Sequence, residues 1–298
     1  MKEKIKRLLK KRNAIMLAHN YQPPEIQDLA DLCGDSLELS IRASATDAKV
    51  ILFCGVMFMA ETASILSPDK KILIPRIDAG CPMADMITPQ QLEARLLKLS
   101  SMPVVTYVNS TASVKARSTV CCTSANVVKV VNSLDAKEVL MTPDRNLAMY
   151  AALHTDKKIH YWNGYCPIHD RLTKTDVMKA KLKYPDAVFM AHPECRPEVL
   201  ELADATLSTS GMIKYAGESA SRSFIVGTEV GLMYPLKKEN PDKNFYPASV
   251  GMECPDMKKI SLNDILRCLE LMDIQVKVSE NIQRPALKAV QRMIDLSS

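Results

Sequence analysis

The sequence predicts an α/β protein made of three copies of one unit, each a small parallel sheet flanked by helices. Three observations lead there. Apolar runs end at His19, Tyr107 and His192, and a hydroxyl residue follows each of them 17 residues later, at Ser36, Ser124 and Thr209. The offsets from His19 to Tyr107 and from Tyr107 to His192 are 88 and 85 residues, and the same offsets separate Gly55, Pro143 and Thr228, where a second set of apolar runs ends. Each unit also closes on a Cys-Pro pair: Cys81-Pro82, Cys166-Pro167 and Cys254-Pro255. Strands alternating with helices over a period of about 86 residues point to stacked copies of a parallel α/β unit.

The elements follow in order. The charged stretch from Lys2 to Arg12 carries apolar residues at helical spacing and reads as a solvated helix face. The first strand of each unit is the run ending at His19, Tyr107 or His192. Behind each hydroxyl residue comes a helix: Leu37 to Ile41, Ala125 to Val131, and Ser210 to Tyr215. A second strand runs from Val50 to Gly55, with counterparts Val139 to Pro143 and Phe224 to Thr228. A third spans Lys71 to Pro75, with counterparts Lys158 to Tyr161 and Asn244 to Pro247. New amphipathic helices open after each Cys-Pro, from Pro89, Thr175 and Ser261. The last of these begins a partial fourth copy, which leads to a strand-like run from Ile274 to Val278 and a closing helix from Pro285 to Leu296. The domain boundaries implied are 1–82, 83–168 and 169–257, with 258–298 packing on the first unit.

Composition narrows the class. The chain has 298 residues, 47% hydrophobic and 24% charged, as expected of a globular protein with a sizeable core. The net charge of +5 is too mild, and too little clustered with aromatics, for a nucleic-acid surface. It suits anionic small substrates. No apolar stretch approaches the roughly 20 residues of a membrane span, and no signal-peptide pattern opens the chain, so a cytoplasmic location is expected. Nine cysteines, an odd number, do not suggest a disulfide framework. Dinucleotide and P-loop fingerprints are absent.

Chemistry concentrates at the carboxyl ends of the first strands, where ligands bind in parallel α/β units. His19, Tyr107 and His192 sit there, with Tyr21, Asn109 and Glu194 two residues on and pointing the same way. Ser36, Ser124 and Thr209 stand at helix starts. Each alone would read as an N-cap; three helix N-termini aimed at one centre would form a site for carboxylate or phosphate. Glu194 is a candidate general base, and His19 and His192 candidate acids or hydrogen-bond donors. Only Cys81, Cys166 and Cys254 share one place in the repeat. Three such cysteines can hold three irons of a [4Fe–4S] cluster and leave the fourth as a Lewis acid. Three buried thiols, or a zinc site completed by a histidine such as His169, are the alternatives on residue type alone.

These residues resemble the quinolinate synthase (NadA) family across essentially the whole chain. The resemblance rests on Ala18-His19-Asn20-Tyr21-Gln22, Gly34-Asp35-Ser36-Leu37, Met59-Ala60-Glu61, Tyr107-Val108-Asn109-Ser110 and Thr123-Ser124-Ala125-Asn126. It rests equally on Pro143 to Leu147, His192-Pro193-Glu194-Cys195, Thr209-Ser210-Gly211-Met212 and the Cys-Pro segments. It implies three similar αβα domains around a pseudo-threefold axis. It implies condensation of iminoaspartate with dihydroxyacetone phosphate to quinolinate, phosphate and water in de novo NAD biosynthesis, with functional coupling to an iminoaspartate-producing enzyme. Carried over, Cys81, Cys166 and Cys254 would hold a [4Fe–4S] cluster with one open iron. His19, Ser36, Tyr107, Asn109, Ser124, His192, Glu194 and Thr209 would hold the substrates. Tyr21 and Glu194, with His19 and His192, would move protons. Many relatives have Thr-Gly-Gly where this chain has Thr209-Ser210-Gly211, so the resemblance leaves open which hydroxyl makes the anion contact, as it does the role of His169.

Overall fold

The computed structural model describes residues 1–99 and 102–297. Among the described residues twelve strands form three sheets of one topology. The first contains β1 (Ala14–His19), β2 (Leu32–Gly34), β3 (Val50–Cys54) and β4 (Lys71–Leu73), ordered β2-β1-β3-β4. The second contains β5 (Val104–Tyr107), β6 (Val120–Cys122), β7 (Glu138–Thr142) and β8 (Lys158–Tyr161), ordered β6-β5-β7-β8. The third contains β9 (Val188–Ala191), β10 (Ala205–Thr206), β11 (Ser223–Gly227) and β12 (Asn244–Pro247), ordered β10-β9-β11-β12. Every pairing within the sheets is parallel. The predicted class is therefore the observed one: three similar αβα units.

The central strands are apolar on both faces because helices cover both faces; Met16, Leu17, Ile51 and Leu52 are fully buried. The structure adds one strand per unit to the expected three. A short helix (Pro24–Gln27, Ala112–Lys115 or Pro197–Leu200) and a two- or three-residue strand (β2, β6 or β10) fill the interval between the first strand and the hydroxyl residue. A strand that short leaves no periodicity to read.

The helices opening after Cys-Pro share a start signal. Thr88 with Gln91, Thr173 with Asp176 and Ser261 with Asp264 each form a capping box, in which side chain and backbone satisfy each other's end groups. The last of these helices, Leu262–Leu271, packs on Lys2–Lys11, burying Ile265, Cys268 and Leu269 in one cluster with Ile5 and Leu9. The partial fourth copy stops there. Met272 and Ile274 adopt left-handed backbone angles, φ 54° each, and reverse the chain. Gln275 then makes a lone antiparallel bridge to Leu73 on the edge of the first sheet, not the strand expected from Ile274 to Val278. The closing helix, Glu280–Asp295, lies across the first and second units, against Met57–Leu66, Ala112–Lys115 and β6. Gln283 donates to the Ile65 carbonyl and Asn126 donates to Ser297.

Candidate active site

The carboxyl ends of β1, β5 and β9 face a shared cavity of about 190 Å³. All twelve site residues expected from the sequence line it: His19, Tyr21 and Ser36 from the first unit, Tyr107, Asn109 and Ser124 from the second, His192, Glu194 and Thr209 from the third, and Cys81, Cys166 and Cys254.

Ser36 and Thr209 are not the caps of their helices. Asp35 caps Ser36–Ala45, accepting from the N–H groups of Leu37 and Glu38, and Ser208 caps Thr209–Glu218, accepting from Gly211. The hydroxyl residues are the first residues inside the helices. In the second unit Asn126 accepts from the Thr123 N–H at 2.7 Å, and Ser124 occupies the turn before Val127–Asn132. Asp35 does the capping beside Ser36, the helix after Ser124 has no side-chain cap, and the Ser36 and Ser124 hydroxyls have no protein hydrogen-bond partner among the described residues.

Both cavity histidines from strand ends have the same arrangement. The Tyr21 N–H donates to His19 Nδ1 at 3.1 Å, and the Glu194 N–H donates to His192 Nδ1 at 3.3 Å. Nδ1 is thus the acceptor and Nε2 carries the hydrogen. Burial pulls the pKa of each down to about 3; Lys258 reinforces this at His19, while Glu194 opposes it at both. Each imidazole is therefore a neutral donor at ordinary pH. His192 Nδ1 also lies 3.5 Å from Glu194 Oε2, but with its lone pair committed to the backbone this is proximity, not an ion pair.

Glu194 is buried, and burial alone would raise its pKa. His169, together with hydrogen bonds from His169 and Tyr107, outweighs that and holds the carboxyl below the usual glutamate range. His169 Nδ1 sits 2.6 Å from Glu194 Oε2. Asn109 Nδ2 donates to Glu194 Oε1 at 3.4 Å. On its far side His169 Nε2 lies 2.8 Å from the Thr228 hydroxyl, and Thr228 lies 2.6 Å from the Tyr21 hydroxyl. A continuous hydrogen-bonded row thus joins Tyr21, Thr228, His169 and Glu194. Burial, and next the Glu194 charge, push the Tyr21 and Tyr107 phenols well above their ordinary pKa.

The three thiols are alike in detail. Each precedes a proline and a single helical turn. Backbone N–H groups of Met83 and Ala84 point at Cys81, that of His169 at Cys166, and those of Asp256 and Met257 at Cys254. Burial raises all three pKa values, Cys81 to about 12. Bare, they are neutral thiols; a bound metal would convert them to thiolates, and the N–H groups already present would stabilise the charge. None of the six other cysteines lines the cavity. This donor set fits an iron–sulfur cluster held by three residues. Cys166, His169 and Glu194 also place ligand atoms within 4.8 Å of one another, the grouping a zinc reading would use. It leaves Cys81 and Cys254 without a function, and the carboxylate and imidazole are already engaged with Asn109, Tyr107 and Thr228.

Sequence reasoning missed several contributors. Thr228 occupies the register position of Gly55 and Pro143, so its difference from them was a readable signal. Glu229 left none. It is buried, accepts from the Cys254 N–H at 3.1 Å and pairs with Lys258 at 2.9 Å. Lys258 also donates to the Tyr21 carbonyl. Gly231 is required here, since a Cβ would lie 2.7 Å from Glu229 Oε2, Lys258 Nζ and the Tyr21 carbonyl alike.

Comparison with known proteins matches residues 3–295 to the family described as NadA, quinolinate synthetase A protein. The chain is 56% identical over 294 residues to the quinolinate synthase of Geotalea uraniireducens, covering 99% of this chain and 97% of that one. It is 52% identical over 297 residues to that of Thermodesulfovibrio yellowstonii, covering 99% and 98%. Quinolinate synthase 1 of Methanosarcina acetivorans is 52% identical over 292 residues, covering 98% and 96%. The match over nearly every residue decides the matter: the chain belongs to the quinolinate synthetase A family.

Proposed function

We infer that this protein is a quinolinate synthase of NAD biosynthesis, which condenses iminoaspartate with dihydroxyacetone phosphate and releases quinolinate, phosphate and water. The observation that carries the reading is the meeting, in one cavity, of three equivalent thiols with a buried carboxylate and two neutral imidazole donors. Cys81, Cys166 and Cys254 would hold a [4Fe–4S] cluster, which when bound supplies a Lewis-acidic iron able to polarise a substrate oxygen.

The chain's own groups divide the remaining work. Nε2–H of His19 and of His192, and the hydroxyls of Ser36, Ser124 and Thr209, are donors suited to substrate carboxylate and phosphate oxygens. Asn109 Oδ1 is buried with no hydrogen-bond partner among the described residues, an acceptor suited to a substrate N–H or O–H. In the row from Tyr21 to Glu194 every hydrogen can point toward the carboxylate. Shifting one proton per bond leaves Tyr21 as phenolate and Glu194 as neutral acid, and the reverse shift restores both. One group can thus accept a proton from carbon while the other delivers one to a departing hydroxyl. Among the described residues no helix is long and apolar enough to cross a membrane. The substrate iminoaspartate requires an enzyme that produces it.

The test is anaerobic cluster-replete protein given both substrates, with quinolinate measured as product. Turnover of a single hydroxyacid by dehydration, without quinolinate, would instead favour a different cluster-dependent hydro-lyase.

A further inference from the structure

The third anion-facing helix begins with two adjacent hydroxyls, Thr209 and Ser210, and the hydrogen bonds around them treat the two differently. Ser210 Oγ donates to the Glu38 carboxylate and accepts from the Asp35 N–H at 3.2 Å. Its one proton is committed, so toward the Asn20 amide it can only accept. Asn20 is buried, and Nδ2 is the atom that faces both hydroxyls, at 3.4 Å from Ser210 Oγ and 3.0 Å from Thr209 Oγ1. With Nδ2 turned that way, Thr209 Oγ1 also accepts, and its own proton is left without a partner among the described residues while the side chain lines the cavity.

The arrangement is anchored on each side. The Asn20 N–H donates to the Gly34 carbonyl at 3.1 Å, and its carbonyl accepts from Gln27 at 3.0 Å. Glu38 is held over the start of its helix by the Asp35 N–H at 3.2 Å. Gly34 leaves the room, since a Cβ there would lie 2.6 Å from Glu38 Oε2.

We propose that Asn20 is a positioning residue for the anion site. The Glu38 carboxylate fixes the polarity of Ser210, Ser210 fixes the orientation of the Asn20 amide, and the amide presents the Thr209 proton to the substrate. The first unit thereby sets the donor direction of a hydroxyl that belongs to the third. Thr209, not Ser210, makes the anion contact. This deepens the proposed reaction and rests on it.

The experiment is a double-mutant cycle in cluster-replete protein, with calorimetric affinities for quinolinate and, separately, inorganic phosphate. Thr209→Ala should weaken one of these anions about 10- to 150-fold. Asn20→Ala should weaken the same anion about 3- to 10-fold, and the double variant should bind it no worse than Thr209→Ala alone. Ser210→Ala should cost less than Thr209→Ala. Asn20→Asp, whose oxygens only accept, should cost more than Asn20→Ala. Losses that simply add would mean that Asn20 only braces the contact between units and would overturn the proposal, as would an Asn20→Ala protein with parental affinity. If Asn20→Ala does not accumulate folded, Asn20→Ser takes its place in the cycle. A parent protein that makes no quinolinate sinks the reaction itself; additive losses in an active parent sink only the Asn20 assignment.

Discussion

Replacing Glu194 with Gln separates the chemistry of the cavity from its architecture. Gln keeps the length and planarity of the side chain but replaces one acceptor oxygen with an NH2 group and abolishes the charge. If the NH2 faces His169 Nδ1, the imidazole must accept there and donate from Nε2 to Thr228, reversing the row to Tyr21. If it faces Asn109, the Asn109 amide can turn its unpartnered Oδ1 toward it, and the other contacts survive. The second arrangement keeps the contacts with His169 and Asn109, so folding and cluster content should match the parent, and product affinity should change less than about tenfold, the value of one charge-assisted hydrogen bond at the low end. The proposed general base is lost in either case. Turnover should fall by about 10²- to 10⁴-fold. The assay is anaerobic quinolinate formation at saturating substrates, beside calorimetric binding of quinolinate. Turnover within tenfold of the parent would falsify the assignment of Glu194 as the base.

Three further outcomes are expected. Cys166→Ser protein should assemble no cluster, whereas Cys33→Ser and Cys268→Ser proteins should; normal iron in the first would remove the basis for the donor set. Thr228→Val deletes the hydroxyl shared by Tyr21 and His169; it should lower turnover about 5- to 150-fold, the worth of roughly 1–3 kcal/mol, with iron content unchanged, and parental turnover would show the row to be idle. Asp170 joins the second and third units through Arg145 at 3.0 Å and Arg196 at 3.2 Å. Burial would raise its pKa, but Asn146 and the two guanidiniums hold it below the ordinary 3.8. A depressed carboxyl pKa adds stability that is full above the unfolded value and vanishes as pH falls through the folded one. The stability gap between parent and Asp170→Asn should therefore shrink below about pH 4 in chemical denaturation; a gap unchanged between about pH 6 and pH 3 contradicts this.

The repeat was legible because apolar strands and helix starts leave spacings that survive divergence, and three equal intervals of 17 residues fix the register of otherwise dissimilar copies. The same register singled out the three thiols from nine cysteines. What the sequence hid was relational. The position of Thr228 between Tyr21 and His169 depends on how a first-unit loop meets a third-unit strand end, and no local pattern encodes that. Nor could residue type show that Asp35 and Ser208 take over capping and leave Ser36 and Thr209 free, since all four belong to the usual capping set. The run from Ile274 to Val278 had strand composition but lacked the backbone direction: two consecutive reversals around Met272 and Ile274 turn it antiparallel against a short edge.

The closing helix has a consequence for the order of events in synthesis. Every residue that lines the cavity lies at or before Met257, yet the helix that ties the first unit to the second is Glu280–Asp295. As the chain emerges N-terminus first, the three thiols are complete before their enclosure can be fastened. Until that helix is made, the cavity that holds the thiols lacks its fastening. Released chains truncated before residue 280 should accordingly be alkylated at Cys81, Cys166 and Cys254 faster than the full-length protein; equal rates would mean that the first two units close without their tie.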